Sequence, residues 1–390
     1  MTSNLVRTGS VALILTLASL AQSQTFTTLY SFGDSPDGNN PQAALIPDGQ
    51  GGAYGTTFYG GANGYGALFA FDRAGKESIV YSFAGPPDAA NPAGNLVRDS
   101  AGNIYGATVW GGVSNSGAVF KVDPSGQETI LYSFAGGTTD GANPEGGVIK
   151  DSAGNLYGTT AGGGSFLGCA NYGCGIVFKL DASGNETMVY SFTGDTQNGA
   201  IDGANPWSTL LRDPTGNLYG TTPLGGTSGF GTIFEIDSAG KETLLHNFAG
   251  AEGAYPYAGL IADMSHNLYG TAYEGGTSHV GTIFKMDKTG AVTTLHSFGG
   301  GSDGAYPSAG VIRDTTGNLY GITTQGGSMD VGTVFELNTS GTETVLHSFP
   351  GGKEGMAPEA GLVLAKDGNL YGTTYDGGDS NNGIVFRVTP

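Results

Sequence analysis

The chain has 390 residues, of which 72 are glycine and only 13% are charged, and its formal net charge is −19. An acidic balance with few, scattered basic residues argues against nucleic acid and anionic membranes as partners. An aromatic content of 10% argues against a disordered chain and favours many short strands joined by tight turns.

The first 23 residues have the pattern of a secretion signal. Arg7 in a short polar start precedes the apolar run 11–20 and the small-residue ending Ala21-Gln22-Ser23, which suits a signal peptidase. No other segment approaches the roughly 18 apolar residues of a membrane span. We expect a signal peptide over 1–23 and a secreted, extracellular mature chain over 24–390, with no C-terminal anchor after Pro390.

A repeat of about 50 residues runs through the mature chain. Its marker is a Tyr-Gly pair, mostly within GNLYGTT, and the six intervals between the seven copies are 51, 52, 62, 50, 51 and 51 residues. Each copy holds four strand-like runs, A to D, which in the sixth copy are residues 309–314, 318–324, 332–337 and 342–349. Four antiparallel strands in about 50 residues make one blade of a β-propeller.

The two ends of the chain indicate how the blades close into a ring. Residues 25–32 form a D-type run with no A, B or C run before it, whereas the last copy stops after its C run at residues 383–390. The two ends are complementary if the first strand completes the last blade, which leaves no free sheet edge. The sequence therefore predicts an all-β fold, a single seven-bladed β-propeller with four antiparallel strands per blade.

The runs carry recurring motifs, namely GNLYGTT, a Gly-Gly pair about six residues later, C runs similar to GTVFKLD, and ETxLYSF. With these motifs the repeat resembles the GloVer tandem repeat of secreted bacterial proteins, over essentially the whole mature chain. The resemblance implies an extracellular protein and no established activity. The blade pattern is also similar to that of NHL-type propellers, a similarity of fold that carries no function.

The third repeat is longer than the others. From the B-run Tyr to the C-run Phe the interval is 15 residues in six copies but 21 between Tyr157 and Phe178, and the interval from Phe192 to Tyr219 is 27 where the others are 21 to 23. The insertions fall in one B-to-C loop and the next D-to-A loop, which emerge on the same face of a propeller. Because loops on a rigid scaffold carry binding residues, we expect this loop face to be the functional one.

Cys169 and Cys174, the only cysteines, lie in the longer B-to-C loop. A disulfide is the default for such a pair in a secreted protein. A metal site and free thiols are the alternatives, although two further metal ligands are not apparent. A disulfide would hold the neighbouring Phe166 and Tyr172 in one shape.

The B-to-C loops vary just before their Gly-Gly pair, where several copies have an aromatic or an acidic residue. Rings that stack and carboxylates that bond hydroxyl groups would suit a sugar chain or a peptide, and ordinary loop drift explains the variation about as well. With the two residues beside the cysteines, the candidate ligand-binding residues are Tyr59, Trp110, Phe166, Tyr172, Glu274, Gln325 and Asp376.

Each D-to-A loop has an acidic residue before its proline. Carboxylates around the channel mouth could attract Ca2+, for which the candidates are Asp37, Asp140, Asp202 and Asp303. The alternative is that Asp-Gly begins a turn, and Glu in two copies favours it. His246, His296 and His347 occupy one repeat position on successive blades, too far apart to share a zinc ion, so we expect packing residues.

No hydrolase motif such as G-x-S-x-G or H-E-x-x-H occurs. We therefore predict no catalytic residue and no cofactor, and a monomeric, non-catalytic propeller that binds a polysaccharide or an extracellular protein through the loop face. The alternative is a carbohydrate-active enzyme, a hydrolase or lyase, that uses carboxylates at the channel mouth. A purely structural role is a third hypothesis.

Overall fold

The computed structural model describes residues 24–72, 75–165, 169, 172–194 and 202–390. The predicted signal peptide and Phe166 lie outside these residues. The described chain forms seven four-stranded antiparallel sheets, so the seven-bladed propeller is confirmed.

The strands of the first four blades follow the predicted order. The chain begins with β1 (Thr25–Ser31) and β2 (Gly38–Asn39). Blade 1 holds β3 (Ile46–Pro47), β4 (Ala53–Thr57), β5 (Tyr59–Gly60), β6 (Ala67–Phe71) and β7 (Glu77–Ser82). Blade 2 holds β8 (Ala89–Arg98), β9 (Ile104–Gly111), β10 (Ala118–Val122) and β11 (Glu128–Ser133). Blade 3 holds β12 (Gly141–Ala142), β13 (Val148–Lys150), β14 (Leu156–Thr160), β15 (Gly162–Gly163), β16 (Ile176–Leu180) and β17 (Glu186–Ser191). Blade 4 holds β18 (Gly203–Ala204), β19 (Leu211–Arg212), β20 (Leu218–Thr222), β21 (Leu224–Gly225), β22 (Thr232–Ile236) and β23 (Glu242–Asn247).

The last three blades have fewer short strands. Blade 5 holds β24 (Ile261–Ala262), β25 (Leu268–Ala272), β26 (Thr282–Met286) and β27 (Val292–Ser297). Blade 6 holds β28 (Ile312–Arg313), β29 (Leu319–Thr323), β30 (Thr333–Leu337) and β31 (Glu343–Ser348). Blade 7 holds β32 (Val363–Leu364), β33 (Leu370–Thr374) and β34 (Ile384–Thr389). Single 3-10 turns lie at Gly301–Asp303 and Gly352–Glu354.

The ring closes through its two ends, as predicted. Strand β1 pairs antiparallel with β34, with Thr25 opposite Thr389 and Ser31 opposite Ile384. The N-terminal strand thus becomes the outer strand of blade 7. Closure of this kind pairs the two end strands with each other, so β34 is not left as an open edge.

The glycine of the Tyr-Gly marker is required by packing. In blade 4 a Cβ atom on Gly220 would lie 2.5 Å from Cζ of Phe234 on the neighbouring strand. Side chains of an ordinary size therefore do not fit beneath this ring without displacing it. The corresponding glycine of every blade faces the C-strand phenylalanine in the same way: Gly55, Gly106, Gly158, Gly220, Gly270, Gly321 and Gly372.

The core lies between the blades and is built from paired phenylalanine rings. Phe192, just after the outer strand of blade 3, meets Phe234 of blade 4 edge to face, with ring centroids 5.1 Å apart. Both rings are fully buried, and such edge-to-face contacts add to the hydrophobic gain of burial. Equivalent pairs join all neighbouring blades: Phe32–Phe69, Phe83–Phe120, Phe134–Phe178, Phe192–Phe234, Phe248–Phe284, Phe298–Phe335 and Phe349–Phe386.

The Asp-x-x-Gly-Asn turns lie on the face opposite the loops. In blade 3 the Asp151 carboxylate accepts hydrogen bonds from the backbone N–H groups of Ala153 and Asn155, at 3.0 and 2.9 Å, and from the hydroxyl of Tyr157 at 3.2 Å. One carboxylate therefore organises both the turn and the marker tyrosine. Among the described residues, no helix is long and apolar enough to cross a membrane.

Candidate functional site

Cys169 and Cys174 form the predicted disulfide, with their Cα atoms 5.3 Å apart. Cys174 is fully buried, whereas Tyr172 is 81% exposed. The carbonyl of Cys174 accepts a hydrogen bond from the backbone N–H of Asn205, at 2.8 Å. The disulfide loop of blade 3 is thus connected directly to the segment that enters blade 4.

The acidic residues of the D-to-A loops bond their own turns. Asp202 accepts hydrogen bonds from the Tyr190 hydroxyl at 3.1 Å, from Thr193 N–H at 2.9 Å and from Gly203 N–H at 2.7 Å. Asp37 and Asp140 make the same three kinds of bond. These contacts are the ones that the turn interpretation expects, and no group of three or more acidic, histidine or cysteine residues in the described ranges could hold a metal ion.

The three repeated histidines occupy separate sites. His246 lies 3.2 Å from Glu252 and His296 lies 3.1 Å from Asp303. Burial raises the pKa of Asp303, but hydrogen bonds from His296 and from the Gly299 N–H outweigh burial and leave the pKa below its usual value. The third, His347, stacks on the Phe26 ring with centroids 3.8 Å apart.

The other predicted ligand-binding residues form an outer rim on the loop face. Tyr59 and Trp110 are 43% and 44% exposed, Gln325 is also exposed, and Glu274 and Asp376 are half-buried. Each pairs with a residue of a D-to-A loop in a short antiparallel contact. They therefore stand on different blades around the rim, and none of the described candidates lines the central cavity.

The central channel contains a cavity of about 700 Å3. Its walls are the beginnings of the inner strands, where the D-to-A loops enter, so the cavity lies toward the loop face. Gly259, Gly310 and Gly361 line it and provide no side chains to fill the channel. Each D-to-A loop has a proline at the same position of the repeat. The residue directly after this proline lines the cavity in all seven blades: Gln42, Ala93, Glu145, Trp207, Tyr257, Ser308 and Glu359.

The residue before each proline helps to fix the backbone from which these cavity side chains extend. Asn205 has a positive φ of 55°, a conformation that asparagine tolerates better than most residues. Its side-chain amide donates a 2.6 Å hydrogen bond to the Ala161 carbonyl of the preceding blade. Together with the bond from its N–H to Cys174, this contact fixes the backbone two residues before Trp207.

One arc of the cavity is aromatic. Trp207 of blade 4 stacks on Tyr257 of blade 5, with ring centroids 5.0 Å apart. Tyr257 meets Tyr273 edge to face at 5.4 Å, and Tyr273 in turn contacts Tyr306 at 5.1 Å. Trp207 remains 41% exposed. Trp207, which lines the cavity and is partly exposed, offers a flat aromatic face that a ligand in the cavity can reach.

The remaining arc carries carboxyl and amide groups. Burial raises the pKa of Glu145 to about 7. Burial also raises the pKa of Glu359, although a 3.3 Å hydrogen bond from the Gln42 side chain opposes this. Among the described residues, the lining contains no lysine, arginine or histidine that could act as a counter-ion for either carboxylate.

Sequence reasoning missed the cavity residues although a signal was present. The residue after the proline changes from Gln to Ala, Glu, Trp, Tyr, Ser and Glu around the ring, while the positions beside it keep their type far better. A variable position inside a regular repeat is typical of ligand contact as well as of drift. The predictions from the sequence covered the B-to-C loops and the acids before the prolines of the D-to-A loops, but not the residue directly after each proline.

The fold places the protein among the seven-bladed β-propellers. The sequence matches the pattern of the Gloeobacter/Verrucomicrobia repeat over residues 15–201, 138–322 and 299–390. The chain therefore belongs to the Gloeobacter/Verrucomicrobia repeat family. No curated protein matches the chain.

Several solved structures share the fold at low sequence identity. One described as streptogramin B lyase is 14% identical with a TM-score of 0.62, covering 94% of this chain and 97% of its own. The virginiamycin B lyase of Staphylococcus aureus is 13% identical with a TM-score of 0.63, covering 94% and 99%. At these identities the similarity shows the fold alone.

Proposed function

We propose that the protein is a non-catalytic binding propeller that recognises a saccharide chain in the central cavity of its loop face. The observation that carries the proposal is the stacked pair Trp207 and Tyr257 beside the carboxyl group of Glu145. Sugar rings bind on flat aromatic faces, and carboxyl and amide groups accept or donate hydrogen bonds to their hydroxyls. The cavity volume of about 700 Å3 is within the range of small-molecule sites.

A longer chain would leave the cavity across the rim. Under this proposal the rim residues predicted from the sequence contact only the part of a long ligand that extends out of the cavity, and they do not contact a short ligand. These residues are Tyr59, Trp110, Tyr172, Glu274, Gln325 and Asp376. We propose an extracellular location, which the disulfide supports because disulfides persist in oxidising compartments. An extracellular protein as the partner remains the competing binding hypothesis.

The two tryptophans of the chain, one in the cavity and one on the rim, allow a direct test. Trp110→Phe leaves Trp207 as the only tryptophan, and Trp207→Phe leaves Trp110. Both variants are titrated with neutral, cationic and acidic oligosaccharides while tryptophan emission is recorded. We expect a ligand-dependent change in the Trp110→Phe protein alone, and a loss of affinity of at least about tenfold in Trp207→Ala.

A response from Trp110 alone would move the site to the rim and contradict the cavity proposal. Absence of binding across the whole panel, with a folded protein, would contradict saccharide recognition itself. Binding of wild type measured by calorimetry is the control, because it does not depend on either tryptophan as a reporter.

The second candidate function is a carbohydrate-active enzyme, which one observation supports. Glu145 and Glu359 line the same cavity, and burial raises the pKa of both carboxyl groups, as a general acid requires. The test is product formation from any oligosaccharide that binds, with Glu145→Gln and Glu359→Gln as variants. Turnover that either variant abolishes would favour the enzyme, and binding without turnover favours the binding propeller.

A further inference from the structure

The cavity is asymmetric in its chemistry around the ring. Blades 4 and 5 contribute Trp207, Tyr257 and Tyr273, whereas the carboxyl groups come from Glu145 on blade 3 and Glu359 on blade 7. Glu145 and Trp207 occupy the same position on adjacent blades. A sugar ring that stacks on Trp207 would therefore have one edge toward the wall of the channel that carries Glu145.

The Glu145 carboxyl group has no protein partner. Within the described ranges no side chain or backbone group donates a hydrogen bond to it, in contrast to Glu359, which accepts one from Gln42. The cavity lining holds no basic side chain that could neutralise either acid. A half-buried carboxylate without a counter-ion is costly, and a ligand that brings a positive charge removes this cost.

The aromatic arc points to the same ligand chemistry. Ring faces attract cations as well as sugar rings, because the negative face of the π system interacts with positive charge. Phosphate, sulfate and carboxylate groups would instead meet two acids and no base, and like charges in a confined site repel strongly. The lining thus favours a positively charged ligand over a neutral one and a neutral one over an acidic one.

We propose that the cavity selects amino sugars with a free, protonated amine, whose ammonium group pairs with Glu145 while the sugar ring stacks on Trp207. The inference rests on the proposed function, since it specifies the saccharide class of the same site. The burial that raises the pKa of Glu145 reports the cost that the ammonium group would relieve. No covalent step is involved.

The test compares three tetrasaccharides of equal length by calorimetry at pH 7, where a substantial fraction of both the Glu145 carboxyl group, with its pKa of about 7, and the sugar amine is charged. They are a glucosamine tetramer, an N-acetylglucosamine tetramer and a galacturonic acid tetramer. We expect the glucosamine tetramer to bind at least about tenfold more tightly than its N-acetylated counterpart, as a charge-assisted hydrogen bond would give, and the acidic tetramer to bind least.

Variants then assign the preference to one residue. Glu145→Gln keeps the shape of the side chain and is expected to remove most of the preference while the N-acetylated tetramer still binds. Glu354→Gln, at an exposed acid outside the cavity lining, is the matched control and should change neither affinity. Glu359→Gln measures how much of the preference depends on the second acid.

Two failures are distinguishable. Equal affinity for the glucosamine and N-acetylglucosamine tetramers, or a preference that survives Glu145→Gln, overturns the amine inference and leaves saccharide binding in place. If no tetramer binds the folded wild-type protein, the proposed function fails and the inference fails with it.

Discussion

The seven connections between blades fall into two classes. In four of them the next-to-last residue of the outer strand is a tyrosine, the turn acid is aspartate and the residue before the proline is asparagine. In the other three the tyrosine is replaced by histidine and the asparagine by tyrosine or alanine. The tyrosine-type sets are Tyr30/Asp37/Asn40, Tyr81/Asp88/Asn91, Tyr132/Asp140/Asn143 and Tyr190/Asp202/Asn205, and the histidine-type sets are His246/Glu252/Tyr255, His296/Asp303/Tyr306 and His347/Glu354/Ala357.

The two classes differ in how the side chain before the proline contacts the preceding blade. All seven residues before the proline have a positive φ, between 50° for Ala357 and 58° for Asn91 and Tyr306. In the tyrosine type the asparagine side chain bonds a carbonyl of the preceding blade, which ties the blades together. The histidine type gives up this bond, and Tyr306 instead extends the aromatic arc through its contact with Tyr273. Four of the seven connections therefore have an additional side-chain bond between blades.

The largest expected effect tests what the two classes share. Phe192 belongs to a tyrosine-type connection and Phe298 to a histidine-type connection, and both rings are fully buried between blades. Replacement of either by alanine should lower the free energy of unfolding by about 3–5 kcal/mol. Urea denaturation of both variants measures the change, and losses that differ by more than about 1 kcal/mol would mean that the cores of the two classes are not equivalent.

The next effect concerns the one connection that a disulfide supports. Replacing Cys169 and Cys174 together with serine should lower stability by about 2 kcal/mol, the value that chain entropy gives for so small a loop. Because the Cys174 carbonyl bonds Asn205, two residues before Trp207, the same change should alter the emission of Trp207. The measurement uses the Trp110→Phe background, in which Trp207 is the sole tryptophan. Unchanged emission would separate the disulfide from the cavity.

The fold could be predicted from the sequence because its signals are local and repeated. The marker Tyr-Gly pairs, the Asp-initiated turns and the orphan strand at residues 25–32 predicted the blades and the closure that β1 and β34 show. The inner strands were less predictable. The run predicted at 309–314 contains only Ile312–Arg313 as strand, whereas the inner strand of blade 2 spans Ala89–Arg98 although it contains the left-handed Asn91 and a proline.

The site was less accessible to sequence reasoning because it depends on which side chains converge. Side chains of successive residues in extended segments point in opposite directions. Tyr273 therefore lines the cavity whereas Glu274, its neighbour and a predicted ligand-binding residue, does not. The cavity exists because Gly259 and its equivalents have no side chains to fill the channel, and no sequence motif marks an empty volume.

Exchanging one residue between the classes should change stability in opposite directions. Asn143→Ala removes the 3.0 Å bond to the Val109 carbonyl and should cost about 1–2 kcal/mol. Ala357→Asn places a residue that tolerates positive φ at φ 50° and supplies the missing donor, so we expect a gain of about 1 kcal/mol. Chemical denaturation of the two variants measures both. A loss of stability in Ala357→Asn would contradict the inference that an asparagine before the proline stabilises the contact between neighbouring blades.

The smallest effect is a pH dependence confined to one histidine-type connection. Burial lowers the pKa of His347 to about 4, and its Nε2 atom is buried with no hydrogen-bond partner in the described structure. The unfolded chain, with a histidine pKa near 6.5, therefore binds more protons between pH 4 and 6.5, and stability falls as the pH falls through this window.

His347→Phe keeps a ring that can stack on Phe26 and cannot be protonated. Compared with this variant, the wild type should lose about 1 kcal/mol between pH 7 and pH 5, a value discounted for solvent screening. His296→Phe is the control for replacing a histidine at the same repeat position, because His296 has an acidic partner in Asp303 and Nε2 of His347 has none in the described structure. Equal pH profiles for the wild type and His347→Phe would show that His347 takes up its proton in the folded state as readily as in the unfolded chain.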